Sequence, residues 1–112
     1  MDQSFSPTGF SMKIFQDRYA FTLTETWEEA CHRVAQHMAV AELPAKQKLW
    51  AEKFYTALSS NLFVPGGRMW ASAGRANPQL LNCFVLNPDK DSKEGWAASA
   101  YNMIVTSMTG GG

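Results

Sequence analysis

The sequence predicts an α/β segment that is mostly helical, made of a helical N-terminal region followed by one buried strand and one more helix. Three observations predict it. Two stretches with apolar residues at spacings of three and four follow helix-start signals. A Pro-Gly-Gly break at Pro65-Gly66-Gly67 then ends helical patterning. Finally, a short run reading LLNCFVL, Leu80 to Leu86, is nearly continuously apolar and bounded by Asn77-Pro78 and Asn87-Pro88.

From the N-terminus, Met1 to Thr24 contains Pro7, Gly9 and the run Ala20-Phe21-Thr22-Leu23, which predicts an irregular arm with one brief extended segment. Thr26-Trp27-Glu28-Glu29 has the Thr-x-x-Glu form of a capping box and starts a helix. Trp27, Ala30, Cys31, Val34, Ala35 and Met38 share one stripe of that helix, with Glu28, Arg33 and Gln36 outside it. A second helix uses Pro44 in its first turn, where a missing N–H costs nothing, and runs through Trp50, Phe54, Ala57 and Leu58 to about Asn61. The two helices are expected to form a hairpin.

Leu80 to Leu86 is the expected strand, buried on both faces. Asp91-Ser92-Lys93-Glu94 repeats the capping logic and opens a third helix with Trp96, Ala100, Met103 and Ile104 on one side, running toward Met108. A doubly apolar strand needs neighbouring strands and covering layers. With Gly110-Gly111-Gly112 following the last helix, the chain is expected to continue in an intact protein.

Composition narrows the function classes. The 112 residues make about one small domain, and 46% hydrophobic against 18% charged residues is globular usage. Ten basic and ten acidic residues leave no net charge, which gives no support to nucleic-acid or anionic-membrane binding. Two distant cysteines make neither a CxxC motif nor a disulfide framework, so a reducing compartment, the cytoplasm, is expected. No run approaches the ~20 apolar residues that span a bilayer.

Cys83 is the main chemical candidate, either a redox thiol or a small buried hydrophobe of the strand. Cys31 lies on an apolar stripe and reads as core. His32 and His37 are turned about 140° apart on one helix, so no metal site is expected from them. The triple glycine reads as a helix C-cap or as a weak phosphate cradle. Asp91 and Ser92 read as N-cap residues, and Arg68 and Arg75 as surface cations or phosphate contacts.

The run FVPGGRMWASAGRANPQLLNCFVL (63–86), then Asp91-Ser92-Lys93-Glu94-Gly95-Trp96 and a helix ending in Thr109-Gly110-Gly111-Gly112, resembles the start of the catalytic barrel of ribonucleotide reductases. Upstream, Phe15-Gln16-Asp17-Arg18-Tyr19-Ala20 and Thr26-Trp27-Glu28-Glu29 are similar to the helical region of the adenosylcobalamin-dependent members. The resemblance implies a division at 1–62, helical, and 63–112, the incomplete beginning of a ten-stranded α/β barrel with Leu80–Leu86 as its first strand. It implies that Cys83 is one of two thiols that deliver electrons to a ribose, its partner lying beyond this chain. It implies substrate contacts at Ser72, Asn82, Gly111 and Gly112, and effector contacts at Asp91 and Ser92, near a homodimer interface. The implied partners are the remaining C-terminal part of the reductase, a nucleotide substrate, a deoxynucleotide effector and a thioredoxin-type reductant. Adenosylcobalamin would be held by parts of the enzyme outside this chain. The rival readings are a non-catalytic helical interaction module and a small thiol oxidoreductase.

Overall fold

The computed structural model describes residues 5–112. Five helices appear among them: α1 (Gly9–Arg18), α2 (Trp27–Ala39), α3 (Pro44–Ser59), α4 (Gly67–Ser72) and α5 (Lys93–Met108). They fall into two compact units, the first ending at Leu80 and the second spanning Leu81–Gly112.

The first unit is built on α2. Thr26 caps it as the sequence predicts: its hydroxyl accepts from the Glu29 N–H at 3.2 Å, and the Glu29 carboxylate accepts from the Thr26 N–H at 2.8 Å. The Thr26 N–H and, second, the Thr26 hydroxyl at 3.1 Å both donate to the Glu29 carboxylate, and these bonds hold its carboxyl below its ordinary pKa. Of the expected stripe, Ala30, Cys31, Val34 and Ala35 are buried and Trp27 and Met38 pack against them. Because Ala30, Cys31, Ala35 and Ala39 are small, α3 lies close along α2 and forms the expected hairpin. α3 begins with Pro44 at its first position and contributes Leu58 to the core. On the flank of the hairpin the His32 ring stacks on Tyr55 at 3.7 Å, and the Tyr55 hydroxyl donates to Glu28 at 3.2 Å.

Two elements depart from expectation. The arm contains a ten-residue helix, α1, and the run Ala20–Leu23 forms turns and bends instead of an extended segment. Residues 1–4 of the expected arm lie outside the described residues. α1 has no capping side chain and buries only Phe15. Tertiary contact holds it in place: Phe15 and Trp27 form a T-shaped pair at 5.5 Å between centroids, and Trp27 in turn meets Trp70 at 4.6 Å. The second departure is α4, which follows the Pro-Gly-Gly break directly. It starts at Gly67, where a Cβ would come within 3.0 Å of the Tyr19 ring, and it buries Trp70.

Arg33, expected outside the apolar stripe, joins these parts. Its Nε and Nη2 donate to the Glu25 carboxylate at 2.7 and 3.1 Å. Nη1 donates to the carbonyls of Trp70 and Ala73 at 2.9 and 2.8 Å, and Nη2 to that of Tyr19 at 3.3 Å. Glu25 also accepts from the Phe21 N–H at 2.7 Å, and the guanidinium lies 3.6 Å over the Phe21 ring. The Arg33 and Glu25 side chains are only 14% and 10% exposed, so the pair is screened little by solvent.

In the second unit the expected strand does not form: Leu80–Leu86 carries no strand assignment, and Cys83 and Val85 are exposed, Val85 by 90%. A strand is stabilised by a run of ladder bonds to a neighbouring strand, and here the pairing to Gly112 is a single rung. The third helix forms as expected, but Trp96, Met103 and Ile104 are 60%, 59% and 58% exposed, and no α5 residue is buried. Its half-covered residues include Ser92, Gly95, Ser99 and Thr106, so α5 turns a small-residue face toward its own unit.

Arg33→Ala is expected to cost about 3 kcal/mol of stability, because it leaves a poorly solvated Glu25 carboxylate and three carbonyls without their donor. Arg33→Lys, with one ammonium in place of a forked guanidinium, is expected to recover less than half of that loss in chemical denaturation of the same chain.

Candidate functional site

The three terminal glycines have three different roles. Gly110 has φ +79°, the left-handed conformation that a helix C-cap uses. Its N–H donates to the Ser107 carbonyl at 2.9 Å and the Gly111 N–H to the Thr106 carbonyl at 3.0 Å, which together make a Schellman motif. Gly111 lies where a Cβ would come within 2.6 Å of the Phe84 ring and 2.8 Å of the Thr106 methyl. Gly112 reaches the segment that holds Cys83: its N–H donates to the Asn82 carbonyl at 2.9 Å, and its carbonyl accepts from the Phe84 N–H at 2.8 Å.

Those last two bonds straddle Cys83. A residue that donates to one neighbour of a position and accepts from the other is paired with that position in parallel sense. The segment 81–86 and Gly112, joined through α5, are therefore paired in parallel sense at a single rung between Cys83 and Gly112. Cys83 is a free, exposed thiol beside a residue without a side chain.

The structure thus brings together four of the residues singled out in the sequence: Asn82, Cys83, Gly111 and Gly112. Asp91 and Ser92 sit at the other end of α5, about 24 Å away along a sixteen-residue helix. Ser92 is the N-cap, accepting from the Gly95 N–H at 3.0 Å, and Asp91 accepts from the Trp96 indole at 3.2 Å. Here Gly95 occupies the third helical position, so the reciprocal carboxylate of a capping box is absent from this cap. Gly95 is required for another reason, since a Cβ there would fall 2.2 Å from the Lys90 carbonyl oxygen. Ser72 is the last residue of α4 and belongs to the first unit. Arg75 stacks on the Phe21 ring at 4.4 Å and donates to the Ala71 carbonyl at 2.8 Å.

Cys31 differs from Cys83 in its access to solvent. It is fully buried under α3, and burial, with the Glu28 charge second, pushes its pKa up to about 12. Among the described residues, no group of three His, Cys, Asp or Glu side chains is placed to hold a metal ion. No helix among them is long and apolar enough to cross a membrane. The residue that sequence reasoning missed is Arg33, whose carbonyl partners lie far along the chain and leave no local signature.

Against known families, the model described as ribonucleotide reductase, all-alpha domain, matches residues 5–78. The chain belongs to the ribonucleotide reductase family. The matched stretch lies in the first compact unit, and its helical architecture is that of the reductase's all-alpha N-terminal domain. No curated protein and no solved structure matches the chain.

The contrast between the two thiols has a direct readout. In the native chain, iodoacetamide at neutral to mildly alkaline pH is expected to label Cys83 fully and leave Cys31 unlabelled. Cys31 should become reactive only in denaturant, or as pH approaches its raised pKa of about 12. Mass spectrometry of the peptides distinguishes the two sites.

Proposed function

We propose that this chain supplies two parts of a ribonucleotide reductase of the adenosylcobalamin-dependent type: the helical N-terminal domain, and the segment that carries one of the two reducing thiols. The observation that carries the reading is the placement of Cys83, exposed and flanked by two backbone bonds that pair it with Gly112.

In this reading Cys83 and a second cysteine outside the chain each give up a hydrogen as their sulfurs join. The two electrons and two protons released replace the 2′-hydroxyl of the ribose with hydrogen, and the oxygen leaves as water. A thioredoxin-type reductant then restores both thiols. Asn82, Gly111 and Gly112, grouped with Cys83 by the backbone pairing, are the substrate contacts in this reading, with the Gly111 and Gly112 N–H groups engaged by the Thr106 and Asn82 carbonyls in the chain as it stands. Ser72 adds a hydroxyl contact, and Asp91 and Ser92 at the far end of α5 contact the deoxynucleotide effector at a homodimer interface.

The residues present do not themselves fit a corrinoid. The two histidines lie on α2 in the first unit, one of them stacked on Tyr55, and neither shares a unit with Cys83. The cofactor would be held by the remaining part of the reductase, whose site generates the radical.

The interaction-module reading gains little, because the apolar stripe of α2 is buried against α3, α4 and α1 and is not presented for docking. The test is to combine the chain with the remaining C-terminal part of the reductase and assay deoxynucleotide formation, with and without adenosylcobalamin. Cys83→Ser is expected to reduce multiple-turnover synthesis to background with a dithiol reductant. Retention of wild-type turnover by that variant rules out the redox role, and indifference to adenosylcobalamin rules out the class.

A further inference from the structure

Where backbone is paired in a β-type rung, successive side chains go to opposite faces, so Cys83 and Phe84 at the rung with Gly112 point different ways. The structure shows the consequence. Cys83 is exposed, whereas Phe84 is half-buried, with its ring against Gly111 and beside the Thr106 methyl of α5. The fit is close enough to exclude a methyl group: a Cβ at Gly111 would lie 2.6 Å from Cε2 and 2.8 Å from Cδ2 of the ring. Directly above this contact, the Phe84 N–H and the Gly112 N–H make the two bonds that hold Gly112 opposite Cys83, at 2.8 and 2.9 Å.

Leu81, Val85 and Leu86 are exposed, and the α5 face turned inward is made of small residues. One hydrogen-bonded rung is weak in water, since each bond nets only about 1 kcal/mol. Register along a strand is then decided by side-chain fit, and a slip of one residue would carry the cysteine to the opposite face.

We propose that Phe84 is a positioning residue for the Cys83 thiol: its ring, seated on the bare Cα of Gly111, fixes the register that sets the sulfur beside Gly112. This rests on the reading of Cys83 as an electron donor to substrate, and adds the device that places it. Phe84 itself touches no reacting atom. Its counterpart is the absence of a side chain at Gly111, so the two positions act as one ring-and-glycine lock.

The test has a structural arm and a kinetic arm. In the chain itself, NMR is expected to show the Gly111 α-protons shifted upfield by the Phe84 ring, and the Phe84 and Gly112 amides protected from exchange. Phe84→Leu should abolish the ring shift and speed exchange of both amides about tenfold or more, while amides of α2 and α3 stay unchanged. Gly111→Ala should do the same by collision, and the Phe84→Ala/Gly111→Ala pair, which restores room, should recover part of the protection. In the reconstituted reductase, Phe84→Leu should lower kcat about tenfold with KM for nucleotide within about twofold, as expected when only the reacting sulfur is misplaced.

Unchanged amide exchange in Phe84→Leu overturns the proposal, as does a double variant no better protected than Gly111→Ala alone, or a loss confined to KM. The two readings fail separately. Activity that survives Cys83→Ser defeats the redox role and leaves the lock intact, whereas an inactive Cys83→Ser with normal exchange in Phe84→Leu defeats only the lock.

Discussion

The first unit depends on one guanidinium. Arg33 donates five hydrogen bonds that gather the end of α1, the turn before α2 and both ends of the α4 C-terminal turn onto the side of α2. The core beneath it is small, and its largest fully buried side chains are Val34 and Cys31. A core of that size does not by itself fix the angles of short helices such as α4, and carbonyls at helix ends need donors when they are withdrawn from water. The fork of Arg33 supplies those donors, and the bidentate pairing with Glu25 keeps the charge compensated where solvent is scarce. Phe21 below and Gly74 beside it, with φ +99°, complete the seat.

The second unit is organised by different means. It buries no residue fully, and its order comes from backbone: the Ser92 cap, the Lys90 carbonyl against Gly95, the Schellman turn at Gly110 and the rung at Gly112. Glycine recurs in this list because each approach is closer than a Cβ allows, or requires positive φ. The large apolar side chains of α5 and, Phe84 apart, of the segment 81–86 face outward, which is the arrangement a β-α-β element takes when its covering layers come from other elements. In the reductase reading, those layers belong to the barrel.

Legibility in the sequence followed the range of the forces involved. The start of α2, its buried stripe and the proline start of α3 could all be read, because a capping box, a 3.6-residue period and Pro at the first turn are local signals. α1 and α4 could not, because Phe15 and Trp70 are held by an aromatic contact with Trp27 and not by periodicity or caps. The apolar run around Cys83 was legible as a strand only in the presence of neighbours, and with a single rung it remains irregular. The start of α5 was legible at Asp91-Ser92, but the cap is Ser92 with Gly95 at the third helical position and not an Asp91–Glu94 box, and the role of Gly95 depends on the path of Lys90 and has no local signature. Of the site, the grouping of Cys83 with Gly111 and Gly112 came from resemblance, and the pairing that brings them together is visible only in three dimensions.

The central functional claim is that the exposed thiol beside Gly112 gives its electrons to substrate, and the most direct measurement follows that sulfur through one reaction cycle. The reconstituted reductase is given nucleotide but no external reductant, quenched after a single turnover, alkylated, and its cysteine peptides quantified by mass spectrometry. The account predicts that alkylatable Cys83 disappears in equal measure with deoxynucleotide formed, and that it is recovered as a disulfide with a cysteine of the C-terminal part. Deoxynucleotide formed while Cys83 remains fully alkylatable would contradict it.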